Sequence, residues 1–421
     1  MNVTRSAWAI WRAPRLEPAA LRRLQSAKLR RIVAHAYATV PFYRQLWSRH
    51  GIEPGQVRGI EDLPRLPVVD KRVLQAADIA ARLSSACARP TLIERRTSGS
   101  TGRPMTLLRD RPFERHQKLV FLRALLATGL RPWHRLLLLS DSSDDDRPGG
   151  GDRRGLPGWR YVASEAPAEA LLEALLTHRP HAVYGFLTPL RQLAQLLRRH
   201  GRPVGLRAVI TTAETLDGAT RAWLADSFQA EVFDLYGCTE VGPVAWECRA
   251  HLGYHVAADT VIVECQDAGT GSGPVLLTSL DLRAMPLIRY AVGDLAVPAG
   301  PGACPCGCRL PRLARLEGRL VDCVQRPAGG LLSPYHLTLA LEDVAGLERF
   351  QIVQEGIDRF LVRAQGRSGP GTDATIAALL RQELGAATRV EVRWEDDLAP
   401  PPGRKFRVVE CRLPGVAACA S

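Results

Sequence analysis

The chain has 421 residues, 46% of them apolar, and a formal net charge of +13 at pH 7. That length admits two or three domains with ample core material, and without an apolar run of about 18 residues a membrane span is not expected. The positive charge is spread along the chain as arginine, with lysine only at Lys28, Lys71, Lys118 and Lys405, so it reads as compositional bias rather than the basic stripe a nucleic-acid partner requires.

Residues 1–15 alternate Trp, Ile and Arg and do not read as a secretory leader. Leu21, Leu24, Leu29 and Ile32 fall at helical spacing, which predicts a helix over 18–48 broken at Pro41-Phe42-Tyr43. A loop-like stretch at 51–69 is rich in proline. A second helix is expected over 113–129, ending at Gly129 with Pro132 after it. Leu136 to Leu139 is a buried-strand candidate, followed by an acidic, glycine-rich run from Asp141 to Asp152 that reads as a solvated loop. Helices at 167–177, 188–200 and 218–227 alternate with short apolar runs at 182–184, 208–212 and from Val232. That alternation predicts an α/β domain with a partly parallel sheet. Beyond residue 260 the texture changes to strands without long helices, at 261–264, 275–278 and 287–290. From Gly318 a smaller α+β segment is expected.

Residues Thr97-Ser98-Gly99-Ser100-Thr101-Gly102 crowd four hydroxyls and two glycines into six positions. Glycine lets backbone approach a ligand closely, and successive N–H groups can then hold an anion, with a polyphosphate the natural tenant. The run lacks the Gly-Lys-[Ser/Thr] ending of a Walker A loop, and by itself it reads equally as a Ser/Thr/Gly-rich surface loop. Five further stretches follow strands or close the chain: Ala213-Glu214, Tyr236-Gly237-Cys238-Thr239-Glu240, Arg289 to Asp294, Gly318 to Asp322, and Gly403 to Arg407. Singly, each is an ordinary loop; their order and spacing carry the signal.

With Thr97–Gly102 in front, this set resembles the adenylate-forming superfamily of acyl-CoA synthetases, and most closely its phenylacetate–CoA ligase-like branch. Ala34 to Tyr43, Cys304-Pro305-Cys306-Gly307 and Phe350 to Gln354 are similar to further stretches of that branch, so the resemblance covers about residues 20 to 410. It implies a large N-terminal α/β adenylation domain over 1–318 and a small mobile α+β domain over 319–421, hinged at Asp322. It also implies an ATP- and Mg²⁺-dependent enzyme that joins a carboxylic acid, expected to be an aryl acid, to AMP and then to coenzyme A. An enzyme with a different acid or acceptor (an amine, a carrier protein, a small inorganic acid) is the alternative, and a non-catalytic nucleotide-binding protein a third reading. In-line displacement at phosphorus needs positioning and charge neutralisation, so each motif acquires a task. Thr97, Ser98, Gly99, Ser100, Thr101 and Gly102 would close over the β/γ-phosphates. Tyr236, with Gly237, would meet the adenine; Thr239 would hold the α-phosphate and Glu240 the Mg²⁺. Ala213 and Glu214 would border the nucleotide, Asp294 would accept from the ribose hydroxyls, and Arg319 would sit near ribose or phosphate. Lys405, a lysine in a chain that otherwise uses arginine, would bridge carboxylate and α-phosphate as a compact point charge. Val292, Arg404 and Arg103 depart from the family pattern but remove no charge adenylation needs.

The ten cysteines form no small disulfide framework, so a reducing cytoplasm is expected. Cys248-x-x-His251 and Cys304-x-Cys306 together offer a Cys₃His set suited to structural zinc; Cys308 and His255 are rival ligands, and free buried cysteines the plain alternative. The branch carries a similar cysteine arrangement. The expected partners are the acid, ATP and coenzyme A, with no nucleic acid or membrane, and a homodimer is the default assembly.

Overall fold

The structure is a computed structural model that describes residues 3–97, 104–140, 158–201, 204–265, 272–398 and 406–413. The chain divides into two compact units, one of Met1–Pro132, Phe233–Val292 and Val297–Arg315, the other of Trp133–Val232, Gly293–Ala296 and Leu316–Ser421. Among the described residues no helix is long and apolar enough to cross a membrane.

In the first unit, helices Pro18–Thr39 and Pro41–Arg49 each begin with proline in the first turn, where its missing N–H leaves no bond unmade. Pro41 therefore starts a new helix at the predicted break. Leu29, Ile32, Val33 and Ala36 of the first helix and Tyr43 and Trp47 of the second are buried. The Tyr43 hydroxyl donates to the Pro286 carbonyl at 3.0 Å and accepts from the Ile288 N–H at 3.0 Å. In helix Arg111–Ala127, Arg123 forks onto both oxygens of Asp259 at 2.9 and 2.8 Å, a bidentate geometry that satisfies a buried pair.

Strand Gly242–Glu247 pairs antiparallel on one side with Glu231–Cys238, whose residues from Phe233 belong to this unit, and on the other with Tyr254–Val256. Tyr254–Val256 pairs in turn with the start of Arg312–Arg319. Strands Val261–Cys265 and Gly273–Ser279 form a further antiparallel pair. The expected strand at 287–290 is not formed as such: Arg289 has φ +49°, and the strand runs instead over Tyr290–Pro298. A left-handed residue cannot continue a pleated strand, so the chain bends at Arg289 and enters the sheet one residue later.

The second unit has an all-parallel sheet ordered Trp159–Ala163, Leu136–Ser140, Ala182–Phe186, Ala208–Thr212. Helices Ala168–His178, Leu187–His200 and Gly218–Phe228 follow strands, as the sequence texture predicts. Leu137, Val183 and Val209 from the strands pack with Leu171, Leu190, Leu193 and Leu224 from the helices. A sheet buried this way needs continuous apolar strands, which is what Leu136 to Leu139 supply. The C-terminal part of the unit is a four-stranded mixed sheet, ordered Arg389–Trp394, Arg359–Gly366, Leu347–Gly356, Val409–Cys411. Its helices Pro334–Leu341 and Thr372–Leu384 share a core with Ile352, Phe360 and Val362.

Candidate active site and metal centre

The hydroxyl-rich segment connects the two strands of a hairpin, Ile93–Arg96 antiparallel to Thr106–Arg109. Thr97 closes it: its N–H donates to the Met105 carbonyl at 3.1 Å and its hydroxyl accepts from the Met105 N–H at 2.9 Å. Ser98, Gly99, Ser100, Thr101, Gly102 and Arg103 lie outside the described residues, as do Asp141 to Asp152, Arg404 and Lys405.

Thr239 and Glu240 occupy the short connection between strands Glu231–Cys238 and Gly242–Glu247, where Cys238 stands opposite Gly242. A bulge at Tyr236/Gly237 precedes it, and bulges re-aim the side chains beside them. Gly237 is required there, because a Cβ would stand 2.9 Å from the Gly242 carbonyl oxygen. The connection is held from outside the motif. The Arg109 guanidinium donates to the Thr239 carbonyl oxygen and, at 3.2 Å, to Glu114 Oε1. The Tyr290 hydroxyl donates to Glu240 Oε1 at 3.0 Å. Glu240 is buried, and among the described residues no cation pairs with it. A buried carboxylate met by a single neutral donor has acceptor sites left for a cation from outside. Tyr236 is also buried, on the strand leading to this connection.

In the second unit, Ala213 follows strand Ala208–Thr212 with φ +66°, a conformation a non-glycine residue adopts only where its surroundings impose it. Glu214 accepts from the Thr188 hydroxyl at 2.8 Å and the Thr188 N–H at 3.3 Å, and so satisfies an N–H in the first turn of the preceding helix, Leu187–His200. It borders a cleft with Arg191, Asp217, Glu342, Arg349 and Phe406. Asp294 pairs with Arg319 at 3.4 Å. Burial pushes the Asp322 carboxyl upward, and its ion pair with Arg407 opposes that shift. The residues after Lys405 are anchored: Phe406 lies under the Arg349 guanidinium, 3.8 Å from its ring centroid, and the Arg407 carbonyl accepts from Gln351 at 2.9 Å.

Back in the first unit, Cys248, His255, Cys304 and Cys306 bring their ligand atoms within 4.8 Å of one another. Cys248 Sγ is 3.6 Å from Cys304 Sγ, and Cys306 Sγ is 3.3 Å from His255 Nε2. Metal–ligand lengths of about 2.3 Å to sulfur and 2.0–2.1 Å to nitrogen in a tetrahedron give edges of roughly 3.8 and 3.6 Å, so the donor set is already near that size. Burial pushes the Cys248 thiol up to about 12 and the His255 imidazole down to about 4, so the imidazole is neutral and available as a ligand. His255, weighed as a rival ligand, joins the three sulfurs, and His251, the histidine expected there, lies outside the cluster. The Cys248–His251 segment closes a turn, His251 N–H to the Cys248 carbonyl at 2.9 Å, with His251 at φ +48°. This directs the His251 ring onto Phe233, centroids 4.9 Å apart, with Nδ1 3.8 Å from Glu247. On the next strand the two-residue period separates Tyr254 from His255: the Tyr254 hydroxyl donates to Asp234 at 3.0 Å while His255 meets the sulfurs. Cys308 stands outside the set; its N–H donates to Cys306 Sγ at 3.4 Å.

Gly253 fixes the approach of His255. Its φ is +89°, and a Cβ would overlap the Leu313 carbonyl oxygen. Gly253→Ala is expected to lower stability by about 3 kcal/mol, since left-handed strain and backbone overlap add. Equilibrium urea unfolding measures it, and a loss under about 1 kcal/mol would contradict the close packing of this turn.

No family model matches the chain. It is 29% identical over 319 residues to a phenylacetate-coenzyme A ligase of Thermus thermophilus, covering 72% of this chain and 71% of that protein. It is 27% identical over 327 residues to the phenylacetate-coenzyme A ligase of Aromatoleum evansii, with the same shares covered. The crystal structure of a 2-hydroxyisobutyryl-CoA ligase in the postadenylation state, in complex with R3-HIB-AMP, superposes with a TM-score of 0.81 at 20% identity, covering 97% of this chain and 93% of that one. The Thr97–Gly102, Tyr236–Glu240 and Gly293-Asp294 motifs, the α/β fold and these likenesses agree: the chain is a homologue of the phenylacetate–CoA ligases with the fold of the adenylate-forming CoA ligases.

Proposed function

We propose that the protein is an AMP-forming acid–CoA ligase. A carboxylic acid attacks the α-phosphate of ATP, pyrophosphate leaves, and the thiol of coenzyme A then displaces AMP from the acyl-adenylate. The observation that carries this reading is Glu240: a buried carboxylate at the turn between two strands, oriented by a neutral hydroxyl and unpaired with any described cation. Magnesium bound there with ATP supplies positive charge to phosphate oxygens. Thr239, on the same turn, holds the α-phosphate; Asp294 accepts from the ribose hydroxyls; Lys405 neutralises charge where the carboxylate meets phosphorus. The phosphate clamp is Thr97–Gly102. The acid is aryl, in keeping with the curated relatives named for phenylacetate. Cys248, His255, Cys304 and Cys306 hold a structural zinc that ties the loop before strand Arg312–Arg319 to strands Gly242–Glu247 and Tyr254–Val256.

The test is acid-dependent exchange of labelled pyrophosphate into ATP over a panel of aryl and alkyl acids, followed by AMP release with and without coenzyme A. Exchange that needs an acid, and AMP release that rises with coenzyme A, are the expected results. Exchange without any stimulation by coenzyme A would assign another acceptor; no exchange with any acid would remove the proposal.

A further inference from the structure

We infer that Tyr290 is a positioning residue for adenylation: its hydroxyl, 3.0 Å from Glu240 Oε1, aims the Glu240 carboxylate so that its other oxygen is presented to Mg²⁺. The inference rests on the reading of Glu240 as the metal-binding carboxylate. Two features of the fold carry it.

First, the acceptor sits where positioning is needed. Glu240 lies in a short connection between strands, with three rotatable side-chain bonds and no ladder partner. The backbone end of that connection is held by Arg109 at the Thr239 carbonyl, and Arg109 is itself fixed by Glu114 at 3.2 Å and lies over the Phe113 ring at 5.4 Å. The carboxylate end is held by Tyr290. An ionised carboxylate offers about four acceptor sites on two oxygens, so a hydroxyl on Oε1 restricts its rotation without using Oε2.

Second, the donor is itself rigid. Tyr290 is 1% exposed and opens its strand directly after the bend at Arg289. Arg289 is locked on three sides: it donates to Glu264 at 3.1 and 3.2 Å, to the Pro64 carbonyl at 3.0 Å and to the Leu66 carbonyl at 2.6 Å. Val69 pairs with Tyr290 in parallel register, and its N–H bonds the Arg289 carbonyl at 3.0 Å. Such support is what holds a site residue within the small tolerance catalysis needs. The chemistry of the donor also fits. A lysine or arginine here would neutralise Glu240 and compete with the metal ion; a phenol at neutral pH orients the carboxylate and leaves its charge intact.

The experiment is a Mg²⁺ titration of acid-dependent pyrophosphate exchange in wild type, Tyr290→Phe and Glu240→Gln, with thermal midpoints measured on the same preparations. Tyr290→Phe keeps the buried ring and is expected to raise the half-saturating Mg²⁺ concentration about tenfold or more, the effect of losing a hydrogen bond to a charged group. Its rate at saturating Mg²⁺ is expected within about threefold of wild type, a split that general loosening of the strand would not give. Glu240→Gln is expected to lose exchange at all Mg²⁺ concentrations. If Glu240→Gln leaves the Mg²⁺ dependence unchanged, the reading of Glu240 itself falls. If Glu240→Gln is impaired but Tyr290→Phe matches wild type in half-saturating Mg²⁺, only the role of Tyr290 is overturned. Tyr290→Met, which also lacks the hydroxyl and fills irregular space, replaces the Phe variant should that one not fold, with the same outcomes.

Discussion

Lys405→Ala is expected to lower acid-dependent pyrophosphate exchange by about 10²–10³-fold, the size of losing one preorganised charge or donor at a transition state. The same variant, given a synthetic acyl-adenylate and coenzyme A, is expected to release AMP within about threefold of the wild-type rate. The difference follows from where charge develops. In the first half-reaction an anionic carboxylate must approach a phosphate that is itself negative, and catalysis there is largely positioning and neutralisation. Thioester formation attacks a carbonyl and makes no such demand on Lys405. Lys405→Arg is expected to recover only part of the exchange, because a planar fork cannot replace a compact ammonium aimed at one oxygen. The residues that follow are suited to carry a fixed charge: Phe406 is stacked under Arg349, and Arg407 is tied to Asp322 and to Gln351. Exchange assays and adenylate-chase assays on one preparation separate the two half-reactions. Equal losses in both would mean that Lys405 acts on folding or on domain docking, and unchanged exchange would remove its role.

Much of the second unit was legible because its signals are local. The helices expected at 167–177, 188–200 and 218–227 stand at Ala168–His178, Leu187–His200 and Gly218–Phe228. Their leucines recur at helical spacing, and the strands between them are short apolar runs that only a buried parallel sheet accommodates. The expected strand at 287–290 failed for a reason no periodicity carries: Arg289 is left-handed, and its guanidinium is held by the Pro64 and Leu66 carbonyls, more than two hundred residues away in sequence. The site divides the same way. The Thr239-Glu240 and Gly293-Asp294 motifs are contiguous stretches, and their order along the chain carries the resemblance that singles them out. The contact of Tyr290 with Glu240 was invisible because it depends on a strand arriving beside a turn fifty residues earlier. Cys248-x-x-His251 is a reasonable ligand pair by spacing, yet strand pairing decides which histidine meets the sulfurs, by bringing His255 opposite Trp246 and into the cluster.

That last difference leads to a direct contrast between two histidines. His255→Ala and Cys248→Ser are each expected to reduce bound zinc from about one per chain to under about 0.2, whereas His251→Ala retains it. Structural zinc in a thiolate-rich site contributes apparent binding free energies of about 10–16 kcal/mol, comparable with the whole stability of a domain, about 5–15 kcal/mol. The geometry says where the loss is felt. Cys304 and Cys306 lie in the segment between strands Tyr290–Pro298 and Arg312–Arg319, and Cys248 and His255 lie at the end of one strand and within the next. Without metal, three thiols and an imidazole are left packed together, with Cys248 and Cys304 in the interior. His255→Ala is therefore expected to lower the thermal midpoint by roughly 10 °C or more, at about 2–4 °C per kcal/mol for a unit of this size. His251→Ala removes a ring stacked on Phe233 and is expected to cost only a few degrees. Elemental analysis after exhaustive dialysis and differential scanning calorimetry measure both quantities. Zinc retained by His255→Ala and lost by His251→Ala would reassign the ligand, and a wild type with under about 0.2 zinc per chain would leave the cluster as four packed side chains and no metal site.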